Sequence, residues 1–351
     1  MSFAPLLRVR ECVTAVSAAF ALAGAARAQQ GVLPAGVTPE VQAAIERGTE
    51  WLARAQAGEN GWRSTGGYGS YPVAMTSLAG LALVCGGSTP TRGRNYAAVR
   101  NGVRFVVRNA DAATGLIAIP GEDGRTMYAH GFATLFLASV YGMEEDAREQ
   151  QKLERVLERA VRLTEDAQAS TGGWNYTPDA GYDEGSITIT QVQALRACRM
   201  AGIVVSKATI DRAIDYLRRC RNADGGIRYR LGQAGESRPA ITAAGLAVLY
   251  SAGVYDDRVL ADGALQFCKR TIQVEVQGQH HFYAHYYWGQ ALWQRGGTEW
   301  TDYYQKLAQW LLRQQRSDGS WDSDGVGPVY GTAVALTLLQ LPYAYVPIYQ
   351  R

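Results

Sequence analysis

The chain has 351 residues, of which 47% are hydrophobic and 19% charged, with 35 Lys and Arg against 32 Asp and Glu. That composition excludes a disordered or collagen-like chain. A formal charge of +3 gives no electrostatic ground for expecting nucleic acid as a partner.

The first elements in chain order concern targeting. Arg8 and Arg10 precede a small-residue apolar run from Val13 to Ala26, and Ala26-Arg27-Ala28 stands before Gln29. This order of basic, apolar and A-x-A segments predicts a cleavable signal peptide over residues 1–28, and therefore export to a periplasm or beyond the cell. No later stretch offers about 18 uninterrupted apolar residues, so no transmembrane span is expected. Residues 29–351 are expected to form one domain. After cleavage Cys85, Cys198, Cys220 and Cys268 remain. They lack C-x-x-C spacing and the density of a disulfide scaffold, which favours buried free thiols.

The rest of the chain repeats itself. Trp51, Phe105, Leu163, Tyr216, Phe267 and Trp310 each end an amphipathic stretch, and three positions earlier stand Gly48, Gly102, Ala160, Ala213, Ala264 and Leu307. Five residues after the large residue comes Gln56, Gln168 or Gln315, with Arg221 in the fourth copy. A glycine turn with a large residue follows at Gly61-Trp62, Gly173-Trp174, Gly225-Gly226-Ile227 and Gly319-Ser320-Trp321. In the second copy Gly115-Leu116 is only an echo of it, and the fifth copy has none. Each copy then supplies a second, more apolar helical stretch: 75–85, 130–141, 190–201, 241–252, 285–295 and 331–341. A helix apolar on every side is buried on every side. Six pairs of half-exposed and buried helices predict an all-α (α/α)6 toroid with an outer and an inner ring.

The segments Arg47-Gly48-x-x-Trp51-Leu52-x-x-x-Gln56 and Lys306-x-x-x-Trp310-Leu311-x-x-x-Gln315-x-x-x-Gly319-Ser320-Trp321 resemble the QW repeats of squalene and hopene cyclases. They are similar also to the repeats of protein prenyltransferase β subunits. The resemblance covers the whole chain after the signal and implies a toroid with an isoprenoid or other lipid ligand. It does not bring the family's chemistry with it. The Asp-x-Asp-Asp acid of the cyclases is absent, Asp256-Asp257 and Asp322-Ser323-Asp324 being turn residues. The Asp-x-Cys pair of the zinc-binding prenyltransferases is absent too. No cofactor is implied.

Candidate site residues follow from departures in the pattern. His130, at the start of a second helix, is a candidate proton carrier that serves equally as a helix cap. Asp183 and Glu184 are the near-paired acids with a plausible aim, as a polysaccharide-cleaving toroid would require. His281 and His285 share a helix face at metal-ligating spacing, yet no third ligand stands nearby. Aligning the second helices on a small-Leu step places Ala79, Ala133, Gln193, Ala244, Gln290 and Val334 together. Gln193 and Gln290, with Arg196, Tyr286 and Trp293 around them, are therefore the expected ligand-binding residues of a central pocket. The sequence supports three functions: a toroid that binds an elongated apolar ligand with catalysis diverged or lost, a polysaccharide-acting enzyme, and a scaffold for a protein partner.

Overall fold

The computed structural model describes residues 32–278 and 280–350, so the signal-peptide expectation for residues 1–28 lies outside the described residues. The outer stretches become α1 (Pro39–Ala55), α3 (Tyr96–Arg108), α5 (Ala147–Asp166), α7 (Lys207–Arg219), α9 (Ala261–Thr271) and α11 (Gly297–Gln314). The second stretches become α2 (Pro72–Cys85), α4 (Thr126–Val140), α6 (Gly185–Met200), α8 (Pro239–Ser251), α10 (His281–Arg295) and α12 (Pro328–Gln340). No strand occurs among the described residues; only isolated bridges such as Ala110 with Ile117 do.

The odd helices are one-sided. α1 buries Val41, Ala44, Ile45, Gly48 and Leu52, while Glu46, Arg47 and Arg54 stay exposed. The even helices are buried nearly all round, α2 at every residue. Each even helix packs on the next, α12 packs on α2, and α11 meets α1. The rings close as the repeats predict, and the fold is an α/α toroid.

The second helices begin two to five residues earlier than their apolar patterns suggest. Three of them start on proline, at Pro72, Pro239 and Pro328. Proline lacks an N–H that the first turn would leave unpaired anyway, so a Pro that looks like a breaker is a helix start.

The repeat residues hold one copy to the next. The amides of Gln56, Gln168 and Gln315 each donate to a carbonyl of the following outer helix, at Ala98, Thr209 and Ala44, all at 2.9 Å. Trp62, Trp174 and Trp321 are buried, and their indoles donate to carbonyls of the preceding outer helix at 2.6–2.8 Å. Gly115, Gly172, Gly225 and Gly319 take φ of +83° to +96°, and a Cβ on any of them would come within 2.4–2.6 Å of a backbone oxygen on the next outer helix. Glycine is required there both for the left-handed backbone and for the approach. For Gly319 that oxygen belongs to Arg47, so the sixth copy docks on the first as the others dock on their successors. Gly115 shows that the second copy's turn is complete, its large residue being the buried Ile117 rather than Leu116.

After α12 the chain turns back at Ala344 and crosses the C-terminal ends of the inner helices. Its final turn, Pro347–Tyr349, packs on α6 and α10 and buries Val346, Ile348 and Tyr349. Trp293 donates its indole N–H to the Tyr349 carbonyl, and the Tyr349 and Tyr286 hydroxyls meet at 2.7 Å. One end of the bore is thereby plugged. Cys85, Cys198, Cys220 and Cys268 are buried and free.

Candidate functional site: a blind funnel in the inner ring

The inner helices share a register set by the turn before them. The turn N–H of Trp62, Trp174, Ile227 and Trp321 donates to the hydroxyl of Thr76, Thr188, Thr242 and Thr332 at 2.9–3.1 Å. In the second copy His130 replaces that threonine, accepting from Ile117 N–H through Nδ1 at 3.2 Å. In the fifth, His285 takes the same place on α10 as His130 takes on α4, each being fifth in its helix.

Two residues before this position stand Ala74, Tyr128, Ser186, Ala240, Tyr283 and Tyr330, and all six line a central cavity. One turn deeper stand Leu78, Phe132, Thr190, Ala244, Tyr287 and Val334. A third layer comprises Leu81, Leu135, Gln193, Ala247, Gln290 and Thr337. The small-Leu alignment mixes these layers, because small residues and leucine recur at several positions of every buried helix. The capping position separates them.

The cavity has two lobes at the N-terminal ends of the inner helices. The larger, about 540 Å³, lies among α4, α6, α8 and α10 and the 271–280 segment. The smaller, about 180 Å³, lies among α2, α4, α10 and α12 and is walled by Met75, Leu78, Phe132, Tyr286 and Val334. Arg125, Tyr128, His280 and Tyr283 line both. The guanidinium groups of Arg125 and Arg238 lie over the rings of Tyr176 and Tyr229, each 4.3 Å from the centroid. Tyr71 and His280, also at the wall, hold left-handed φ of +41° and +59°. Non-glycine residues adopt that conformation only under constraint from their surroundings, and such residues collect at functional sites.

The expected candidates distribute as follows. His130 is fully buried away from the cavity: with Nδ1 accepting, its Nε2–H faces Thr164 Oγ1 at 3.0 Å and the Ala160 carbonyl at 3.2 Å. Burial pushes its pKa down to about 4. Asp183 accepts from the Tyr216 hydroxyl and from Leu231 N–H at 2.9 and 3.0 Å. Glu184 caps α6, accepting from Ile187 N–H at 2.9 Å and from Ser186 Oγ at 2.6 Å, and burial raises its pKa against those bonds. The wall residue Tyr128 meets Ser186 in turn. Neither acid lines the cavity itself.

Gln193 and Gln290 are bonded to each other. Gln193 Nε2 donates to Gln290 Oε1 at 2.8 Å, Gln290 Nε2 donates to the Tyr286 carbonyl at 2.8 Å, and both side chains are 2% exposed. They belong to the third layer, beneath the funnel. Arg196 donates to the Ser251 carbonyl and Trp293 to the tail, which leaves Tyr286 as the one expected ligand residue at the cavity wall. His281 and His285 line the larger lobe with ring centroids 4.4 Å apart. Among the described residues no three His, Cys, Asp or Glu side chains converge as a metal site would require. Arg125, Tyr128 and Arg238 are wall residues that the sequence reasoning missed. Aligning the copies on the Thr or His that caps each turn would have revealed Tyr128.

The chain matches no family model, and no curated protein matches it. Solved structures do. A variant of the type II terpene cyclase MstE from Scytonema, in complex with geranylgeranyl dihydroxybenzoate, superposes with a TM-score of 0.58 at 16% identity, over 88% of this chain and 98% of that one. A D-mannose isomerase gives 0.62 at 13% identity over 88% and 99% of the two chains. The GH76A α-1,6-mannanase of Salegentibacter sp. HEL1_6 gives 0.61 at 10% identity over 87% and 99%. Likeness at this level of identity establishes the toroid and leaves its chemistry to the site.

Proposed function

We propose that this protein is an exported toroid that binds an elongated, largely apolar ligand of the isoprenoid or lipid class in its central funnel, with the acid chemistry of the cyclases lost. The observation that carries this is a cavity whose smaller lobe is walled by Met75, Leu78, Phe132, Tyr286 and Val334, with Tyr286 bonded to the buried tail beneath. A pocket with an apolar body and few polar groups at one end suits such a molecule. The QW-type repeats and the isoprenoid-bound structural neighbour support the ligand class. No helix among the described residues is long and apolar enough to cross a membrane.

Native mass spectrometry of the protein purified from its producing cells, followed by lipid extraction, tests the proposal. A stoichiometric apolar molecule, displaced by Leu78→Trp, is the expected result. An empty protein that takes up neither geranylgeraniol nor farnesol would refute it.

A further inference from the structure

We propose that the larger lobe is a subsite for an uncharged, hydroxyl-rich head group, so that the ligand is an amphiphile with its chain in the smaller lobe and a polyol or sugar-like head in the larger one. This rests on the ligand-binding reading above and narrows its chemistry.

Three buried polar atoms at the lobe wall make no well-formed hydrogen bond: Nε2 of His281 and of His285, whose rings face the Val276 and Gln273 backbone, and the hydroxyl of Tyr283, which faces Tyr287. His281 and His285 are 5% and 2% exposed. Buried polar groups are normally well paired, so three poorly paired groups on one wall keep capacity for a ligand's hydrogen bonds. Burial holds both imidazoles neutral, pushing His285 down to about 3 and His281 below its ordinary value. The nitrogen of a neutral imidazole accepts in one tautomer and donates in the other. A hydroxyl satisfies either tautomer. An anion only accepts, and an alkyl group does neither. Arg125 and Arg238, whose faces rest on tyrosine rings, keep donor edges that a hydroxyl oxygen also satisfies.

The repeat register points to the same lobe. Four residues before the capping position, the third, fourth and fifth copies carry Glu184, Arg238 and His281, where the first, second and sixth carry Pro72, Thr126 and Pro328. Arg238 and His281 line the larger lobe, whereas Glu184 caps α6 away from it, so the departures of the fourth and fifth copies are the ones that face the cavity.

Three probes with one ten-carbon chain separate the possibilities: decyl β-D-glucoside, decanol and decanoate, titrated below micelle formation by isothermal calorimetry. The glucoside should bind about tenfold more tightly than either of the others, the increment of one or two well-placed hydrogen bonds. Tyr283→Phe removes only an oxygen that makes no well-formed hydrogen bond and should keep the fold. It should weaken glucoside binding roughly fivefold while leaving decanol within about twofold, and His281→Phe should act in the same direction. Tightest binding by decanoate would overturn the proposal in favour of an anion site. Equal binding of all three, or a glucoside preference that survives both variants, would overturn it while leaving the apolar funnel intact. Binding of none would remove the ligand-binding reading as well.

Discussion

At the C-terminal ends of the inner helices Trp293 binds the tail carbonyl, Tyr349 reaches up to Tyr286 on the wall of the smaller lobe, and Gln193 bonds Gln290 beneath the funnel. At the N-terminal ends of the same helices lie two open lobes, two left-handed backbones and a wall with three polar atoms that lack a well-formed hydrogen bond. Backbone and repeat are alike at both ends, so the difference lies in the side chains and in the tail. One end closes on the amide pair and the chain's own tail, although Gln193 Oε1 and Gln294 Oε1 have no partner there; the other end stays open. Substitutions at the two ends should therefore separate stability from binding.

The largest effect should come from the filled end. Ending the chain after Ala344 removes three buried side chains, Val346, Ile348 and Tyr349, each contributing about 1.5–3 kcal/mol. Urea unfolding should show a loss of roughly 4 kcal/mol or more, and an unchanged midpoint would show that the tail is no plug. Next comes the amide pair. Gln193→Leu should cost about 1–3 kcal/mol by stranding the Gln290 carbonyl oxygen, and Gln193→Leu with Gln290→Leu should recover part of it. Strict additivity in the double-mutant cycle would sink the pair.

A third effect is of similar size but depends on pH. His130 has a folded pKa of about 4, below the ordinary value of 6.5, because burial disfavours its charged form. The unfolded chain therefore binds the proton more readily. The stability His130 allows is complete above about pH 6.5 and is lost as pH falls from there towards 4, by on the order of 2 kcal/mol. His285 extends the same trend towards pH 3, whereas Glu184, its pKa raised by burial, opposes it. His130→Thr restores the residue that four other copies use at this position. Its unfolding free energy should fall less between pH 7 and 5 than that of the unsubstituted chain, and identical slopes would rule out His130 as the source. The smallest effect belongs to the hollow end: Tyr283→Phe should leave stability within about 0.5 kcal/mol, since its hydroxyl makes no well-formed hydrogen bond in the protein.

The toroid was legible because Trp, Gly and Gln recur where one copy touches the next. Those contacts recur three times for Gln and for Trp and four times for Gly, and repetition is what makes a pattern visible in a single sequence. The wall of the funnel was legible only in part, at Tyr286. Gln193 and Gln290 stood out as polar residues in apolar helices, but their conspicuousness came from pairing with each other across the bore. Arg125 and Arg238 sit at helix starts, where charged residues are ordinary on sequence grounds. The tail carries no repeat at all, so nothing in its residues announces that Tyr349 reaches the bore. His130 was conspicuous as a rare histidine, and its environment shows a threonine's duty done by an imidazole.

Ring closure has a kinetic consequence. Arg47 and Gln315 are bonded although 268 residues separate them, and Gln315 also binds the Ala44 carbonyl. Until the last hairpin is available, the flank of α1 that receives it stays uncovered. Contacts of such sequence separation form slowly, because the chain entropy of bringing the ends together is lost before any contact repays it. During synthesis the first hairpin is thus the longest-waiting sticky surface in the molecule. A holding chaperone would be needed most there, and its release would be timed by the arrival of the final copy.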